Sequence, residues 1–189
     1  MMTFKEIVLK NRSYRRFHQD EPVAREVLIE LIDLARLSPS AQNKQPLKYK
    51  IVNDAATCAK LFPLLGWAGY LTEWPGPAEG ERPPAYIVMV GDTSLGASYQ
   101  HDKGIAGQTI LLGAAARGLG GCFVATIDRA ALAALLGLEA RYEILYVLPI
   151  GRPKETVILE EMKGGDVKYW RDADGAHHVP KRSLDEILL

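Results

Sequence analysis

From Gly104 to Ala116 the chain runs without a single charged side chain, and Arg117 closes the stretch. Its length and residue types predict a helix that is apolar all round, and such a helix must be covered on every side. It is too short to cross a bilayer, which takes about 20 apolar residues. Gly104, Gly107 and Gly113 each cost such a helix roughly 1 kcal/mol relative to alanine. Small residues let a neighbour approach closely, so the segment suits either the core of the domain or an interface between two copies of the chain.

The rest of the chain supplies material to cover it. Thr3 and Glu6 have capping-box spacing, predicting a first helix from Phe4 to about Lys10. Val27, Leu28, Leu31, Ile32 and Ala35 recur at helical intervals and predict a second helix ending before Pro39. Strands are expected at Lys48–Val52, Ala85–Gly91, Cys122–Ile127 and Tyr142–Ile150, and helices after the caps Asp54 (to about Leu65) and Asp128 (to Gly137). Gly66 to Pro84 holds Trp67, Tyr70 and Trp74 in a stretch rich in glycine and proline. It reads as a lid with an aromatic wall or, equally, as a loop whose rings pack it onto the body. In the tail, Asp174-Gly175 predicts a turn between Val167–Tyr169 and His177–Val179, and Ser183 with Glu186 a terminal capped helix. The 189 residues contain no repeat or linker, so residues 1–189 are expected to form one α+β domain.

Composition excludes several functions. Lysine plus arginine balances aspartate plus glutamate at 23 each, so no field would gather nucleic acid. Cys58 and Cys122 form no C-x-x-C pair and read as small buried hydrophobes. With neither a signal-like nor a membrane-spanning run, the expectation is a soluble cytoplasmic protein. No P-loop and no G-x-S-x-G elbow occur, and Gly118-Leu119-Gly120-Gly121 follows a helix where a dinucleotide fingerprint would follow a strand. His177 and His178 would point to opposite faces of a strand, which argues against a shared metal. His101-Asp102 would serve as an acid/base pair or as structure.

An anion-binding set without a nucleophile remains. Arg12, Ser13 and Arg15 offer two guanidiniums, a hydroxyl and backbone amides to a phosphate monoester, or form a solvated basic turn. Arg152, after a strand and Gly151, offers a second cation.

Arg12-Ser13-x-Arg15-x-Phe17, followed after one helix by Ser38-Pro39-Ser40-Ala41-Gln42-Asn43-Lys44-Gln45-Pro46, resembles the N-terminal signature of the FMN-binding nitroreductase family. Asp102-x-Gly104-Ile105-Ala106-x-Gln108, the glycine cluster at 118–121 and Leu148-Pro149-Ile150-Gly151-Arg152-Pro153 are similar to that family's central helix, flavin-edge segment and last phosphate-binding strand. The resemblance implies a mixed or antiparallel sheet flanked by helices, in an obligate homodimer with flavin at the interface. It assigns Arg12, Ser13, Arg15, Gly151 and Arg152 to one side of the FMN site, and Pro39, Ser40, Ala41, Asn43 and Gln45 to the other, donated by the partner chain. Many relatives carry arginine where this chain has Asn11, which removes one charge-assisted contact.

The implied activity takes hydride from NAD(P)H onto the flavin N5 and passes electrons, by a ping-pong cycle, to a nitroaromatic, quinone or similar small acceptor. No side chain acts as a nucleophile in that scheme. Arg15 would stabilise negative charge near N1 and O2 of the reduced ring, and backbone amides at Gly120 and Gly121 would meet the ring edge, although a helix C-cap explains the same glycines. The alternatives are reductive dehalogenation, azoline oxidation or flavin breakdown on the same fold, a non-catalytic FMN-binding redox sensor, or an interaction protein without cofactor.

Overall fold

In a computed structural model that describes residues 2–96 and 99–189, the apolar periodicities become five helices and seven strands. The helices are α1 (Phe4–Lys10), α2 (Arg25–Arg36), α3 (Ala55–Leu61), α4 (Asp102–Ala116) and α5 (Arg129–Leu136). The strands are β1 (Leu47–Val52), β2 (Ala85–Asp92), β3 (Gly120–Gly121), β4 (Tyr142–Gly151), β5 (Val157–Glu161), β6 (Trp170–Arg171) and β7 (His177–Lys181). The main sheet runs β1-β2-β4-β3 with every neighbouring pair antiparallel. No helix among the described residues is long and apolar enough to cross a membrane.

The two-residue period of β2 builds two cores at once. Ile87 and Met89 face one side and join Leu28 and Leu31 of α2 with Ile110 and Ala114 of α4. Tyr86, Val88 and Val90 face the other and join Cys58 and Leu61 of α3 with Leu132 and Leu136 of α5. All of β2 is buried, which explains why its sequence shows a continuous apolar run rather than alternation. Each leucine fully buried between these layers contributes roughly 1.5–3 kcal/mol.

Helix α4 has two of its three glycines against side chains of its own chain. A Cβ on Gly107 would enter the ring of Phe123, and one on Gly113 would meet Leu34 and Leu31, whereas nothing stands near Gly104. Close approach here is therefore helix to ring and helix to helix within one subunit.

Three expectations change. Cys122–Ile127 is no strand: regular pairing stops at Gly121, with only isolated later bridges from Val124 to Val147 and from Ile127 to Leu65. The backbone turns instead to the loop beyond α3, where Gly66 N–H donates to the Thr126 carbonyl over 2.9 Å. The tail forms its own sheet, β5-β7-β6: the expected hairpin joins β7 to Trp170–Arg171 rather than to Val167–Tyr169, and β5 pairs parallel with β7, which no local pattern announces. At the end of the chain Ser183 and Glu186 close their box, but only a turn follows, because Leu184, Ile187 and Leu188 are exposed and no packing supports a helix.

Candidate functional site

The basic segment after α1 is fixed through its backbone. Phe17, fully buried, bridges to Pro153, and Ser13 bridges to Gly121, so residues 13–17 lie along the edge formed by β3 and the end of β4. Beneath them sits the carboxylate of Glu155, whose side chain has no exposed surface. It accepts from the backbone N–H of Arg15, from that of Arg16 over 3.1 Å, and from Arg171 Nη2 over 3.0 Å. A carboxylate that takes two consecutive amides and a guanidinium is fully used, so its burial is compensated. Burial among other cations lowers the Arg171 pKa, while Glu155 opposes the shift.

With the backbone held, the side chains of Arg12, Ser13 and Arg15 line a cavity of about 270 Å³ together with Phe123, His177 and Lys181. A second cavity, of about 370 Å³, shares Arg15, Phe123 and Tyr169 with the first and is otherwise walled by residues 66–69 and 122–126. The two make one groove, cationic at one end, aromatic and backbone-lined at the other, with Arg15 at the junction. Among the described residues Arg12, Arg15 and Lys181 make no ion pair, whereas Arg16, Arg152 and Arg171 each face a carboxylate. Arg12 Nη2 donates to the Val8 carbonyl over 2.7 Å and its Nε is buried without a partner. Arg15 Nη1 donates to the Ser13 carbonyl over 3.1 Å, and its guanidinium lies 5.1 Å from the centre of the Tyr169 ring. Burial, then the charges of Arg15, Arg171 and His178, pull the His177 pKa down to about 4, so its imidazole is neutral at pH 7.

The other predicted segment lies elsewhere in the chain. Ser40 Oγ donates to Asp102 Oδ2 over 2.6 Å and the Ala41 N–H to Oδ1 over 2.9 Å, tying the loop to the start of α4. Asp102 is thus an anchor, and the His101-Asp102 acid/base reading gives way to it. Gln42, Asn43 and Gln45 have φ of 53°, 54° and 48°. Left-handed backbone at non-glycine residues costs roughly 1–2 kcal/mol each and persists where surrounding bonds enforce it. Gln45 Nε2 donates to Asn43 Oδ1 over 3.1 Å, and its N–H to Ser40 Oγ over 2.9 Å. Pro39, Ser40 and Gln45 line a third cavity, of about 470 Å³, which shares no residue with the other two, and Ala41 and Asn43 are exposed.

Four further predicted residues stand away from the groove. Gly120 and Gly121 are buried, the first against the Tyr14 ring and Pro153, the second against the Pro149 carbonyl and Leu111. They serve close packing, and it is the next residues, 122–126, that wall the cavity. Gly151 packs on Pro84 and Phe17. Arg152 is half-exposed, and its guanidinium is taken by Glu21 in a bidentate pair. Of the loop aromatics, Trp67 lines the groove, Tyr70 packs on Tyr169 with centroids 5.0 Å apart, and Trp74 lies 4.0 Å beneath the Arg171 guanidinium. The two readings of that loop divide between its rings.

Glu155, Tyr169, His177 and Lys181 were not among the predicted site residues. For two of them a signal existed: strand alternation in His177-His178-Val179-Pro180-Lys181 puts His177, Val179 and Lys181 on one face. His178, on the opposite face, meets Asp172 over 3.1 Å and Glu160 over 3.2 Å, and those carboxylates, Asp172 foremost, raise its pKa.

Comparison with known proteins agrees with this geometry. The sequence model of the nitroreductase family matches residues 8–69 and 81–152. A protein of Archaeoglobus fulgidus named for NADH dehydrogenase or NAD(P)H nitroreductase is 26% identical over 149 residues, covering 74% of this chain and 80% of its own. The crystal structure of a nitroreductase family protein from Clostridium novyi superposes with a TM-score of 0.66 at 25% identity, over 81% of this chain and 88% of that one. An FMN-dependent nitroreductase from Clostridium difficile shares the fold with a TM-score of 0.64 at 22% identity, over 89% and 92% of the two chains. Two matched segments that together span most of the sequence, on a sheet and helices of the same architecture, place the chain in the nitroreductase family.

Proposed function

We propose that this protein is an FMN-dependent oxidoreductase that draws electrons from NAD(P)H and delivers them to a small acceptor such as a nitroaromatic or a quinone. The observation that carries the reading is the trio Arg12, Arg15 and Lys181, unpaired among the described residues, in a groove whose far end is aromatic and backbone-lined. A phosphate monoester linked to a planar ring has that polarity, and FMN is such a molecule. The donor set fits the group: Arg12, Ser13 and Lys181 face one cavity and would hold the phosphate. Arg15, at the junction, would face the pyrimidine edge of the ring, and residues 122–126 with Trp67 would flank its body. When bound, FMN supplies the redox chemistry, accepting electrons from NAD(P)H and releasing them to the second substrate in a ping-pong cycle.

The assembly follows from the same division of residues. Pro39, Ser40, Ala41, Asn43 and Gln45 lie off the groove of their own chain, yet the backbone of their loop is held in a costly left-handed conformation at Gln42, Asn43 and Gln45. Exposed Ile105 on α4, with Phe4 on α1 and Ile187 in the tail, offers apolar surface for a second copy. In the proposed homodimer this loop completes the partner's flavin site.

The test is titration of the flavin-free protein with FMN. Arg12→Ala and Lys181→Ala are each expected to weaken binding by roughly 1.5–3 kcal/mol, the range for a hydrogen bond to a charged group. Arg152→Ala is expected to leave it unchanged, since Glu21 already takes that guanidinium. A wild-type protein that binds no FMN overturns the reading. One that binds FMN but is not reduced by NADH or NADPH without air is a flavin-binding sensor rather than an enzyme.

A further inference from the structure

We propose that His177 is a positioning residue for Arg15: its imidazole Nε2 accepts from Arg15 Nη1 and sets the guanidinium at the junction of the two cavities, tuning the reduction potential of flavin bound there. The inference rests on the FMN reading above. His177 Nε2 lies 3.4 Å from Arg15 Nη1. A guanidinium can only donate, so the contact requires a neutral ring with its proton on Nδ1. His177 is 1% exposed, which leaves the ring no freedom to turn to water.

Every neighbour favours the neutral form. Arg15 and Arg171 both bring positive charge toward the ring and His178 adds more, and the Glu155 carboxylate beside Arg171 is occupied by that guanidinium and by the amides of Arg15 and Arg16. Tyr169, whose ring centre is 5.1 Å away, packs against the imidazole and also lies beneath the Arg15 guanidinium. Arg15 is thus bounded by Tyr169 on its face, by the Ser13 carbonyl and by His177 at Nη1, and among the described residues its guanidinium forms no ion pair. Packing alone does not account for a histidine here. Its Nδ1 is buried without a partner, a cost that leucine in the same place would avoid.

The experiment compares the two-electron midpoint potential and the FMN dissociation constant of the wild type, His177→Leu, His177→Gln, Arg15→Gln and the double variant Arg15→Gln/His177→Leu. His177→Leu is expected to keep FMN affinity within threefold while lowering the preference for reduced over oxidised flavin about tenfold, or ~30 mV for a two-electron couple. His177→Gln, whose side-chain oxygen reaches the place of Nε2, is expected to restore the potential. Adding His177→Leu to Arg15→Gln is expected to change nothing further, because the two act through one guanidinium. An unchanged potential in His177→Leu, or additive shifts in the double variant, overturns the proposal. Should the leucine variant not fold, His177→Gln against the shorter His177→Asn decides: equal potentials overturn it.

A second readout needs no flavin. Imidazole ¹⁵N shifts of the flavin-free protein at pH 7 are expected to show a neutral ring protonated on Nδ1, and an imidazolium or the Nε2–H tautomer overturns the proposal. A wild type without affinity for FMN removes the functional reading itself, whereas normal FMN binding with an indifferent His177 removes only this inference.

Discussion

Asp102, in the first turn of α4, accepts a hydrogen bond from the Ser40 hydroxyl over 2.6 Å. With the second bond from the Ala41 amide, this single carboxylate fixes the loop that carries Pro39, Asn43 and Gln45 against the central helix. Asp102 is 3% exposed, so removing it strands a hydroxyl and an amide in partly buried surroundings. Asp102→Ala is expected to destabilise the fold by roughly 1–3 kcal/mol, measured by chemical denaturation. Asp102→Asn, which retains one acceptor oxygen, is expected to cost less.

Glu155 plays the corresponding part for the basic segment. Its partners are two backbone amides and Arg171, and its side chain is wholly buried. Glu155→Leu leaves Arg171 buried and uncompensated, and breaking a buried pair from one side costs about 3–5 kcal/mol. Denaturation is expected to show that loss, and equilibrium titration a weaker FMN affinity in whatever protein remains folded, because the backbone of Arg15 is released. Undiminished FMN affinity would mean that the segment holds its shape without Glu155.

Gly107 separates stability from binding. A methyl group there would enter the Phe123 ring, which lines both cavities of the groove. Alanine gains roughly 1 kcal/mol of helix propensity, and displacing the end of a side chain offsets much of it. Gly107→Ala is therefore expected to melt close to the wild type while binding FMN more weakly, as read by flavin fluorescence. Gly107→Leu overfills the same space and is expected to lose about 1–3 kcal/mol as well.

Burial of neutral His177 links stability to pH. Its pKa is about 4 in the folded chain against about 6.5 for the unfolded. Above pH 6.5 both states are neutral and the contribution is fully present. As pH falls from 6.5 toward 4 the unfolded chain binds a proton that the folded one refuses, so stability is lost through that window, by about 3 kcal/mol in total. Subtracting the pH dependence of His177→Leu from that of the wild type, each by denaturant melts at pH 7, 6, 5 and 4.5, is expected to isolate this slope. Parallel curves would show that His177 does not titrate on unfolding.

Much of the architecture was legible because it is local. The capping box at Thr3 and Glu6, the α2 periodicity ending before Pro39, the fully apolar β2 and the left-handed Gly137 after α5 each state their structure within a few residues. What escaped depends on partners distant in sequence. Nothing near Glu155 announces that it will meet Arg15, 140 residues earlier, and parallel pairing of β5 with β7 leaves no turn signal between them. Gly120 and Gly121 show a different limit: glycine permits close approach of anything, and within this chain the neighbours a side chain there would meet are Tyr14, Pro153 and the Pro149 carbonyl. Arg152 shows the same limit for charge, since the sequence alone does not reveal that Glu21 will take it.

The assembly proposal yields the most demanding expectation. If the loop from Ser38 to Pro46 completes the groove of a second copy, FMN binds the dimer better than the monomer, and the two equilibria are linked. FMN at a hundredfold excess over its dissociation constant then adds about 2.7 kcal/mol per site to the dimer. Sedimentation velocity over a dilution series, recorded at protein and flavin wavelengths, is expected to show dissociation at higher protein concentration without FMN than with it. Asp102→Ala adds a control within the chain. Asp102 lines the loop's cavity and neither part of the groove, so its loss frees the loop while leaving Arg12, Arg15 and Lys181 in place. The variant is expected to bind FMN weakly and to dimerise weakly, in the same proportion. Full flavin occupancy on a monomer, in either protein, would show that one chain holds the whole site.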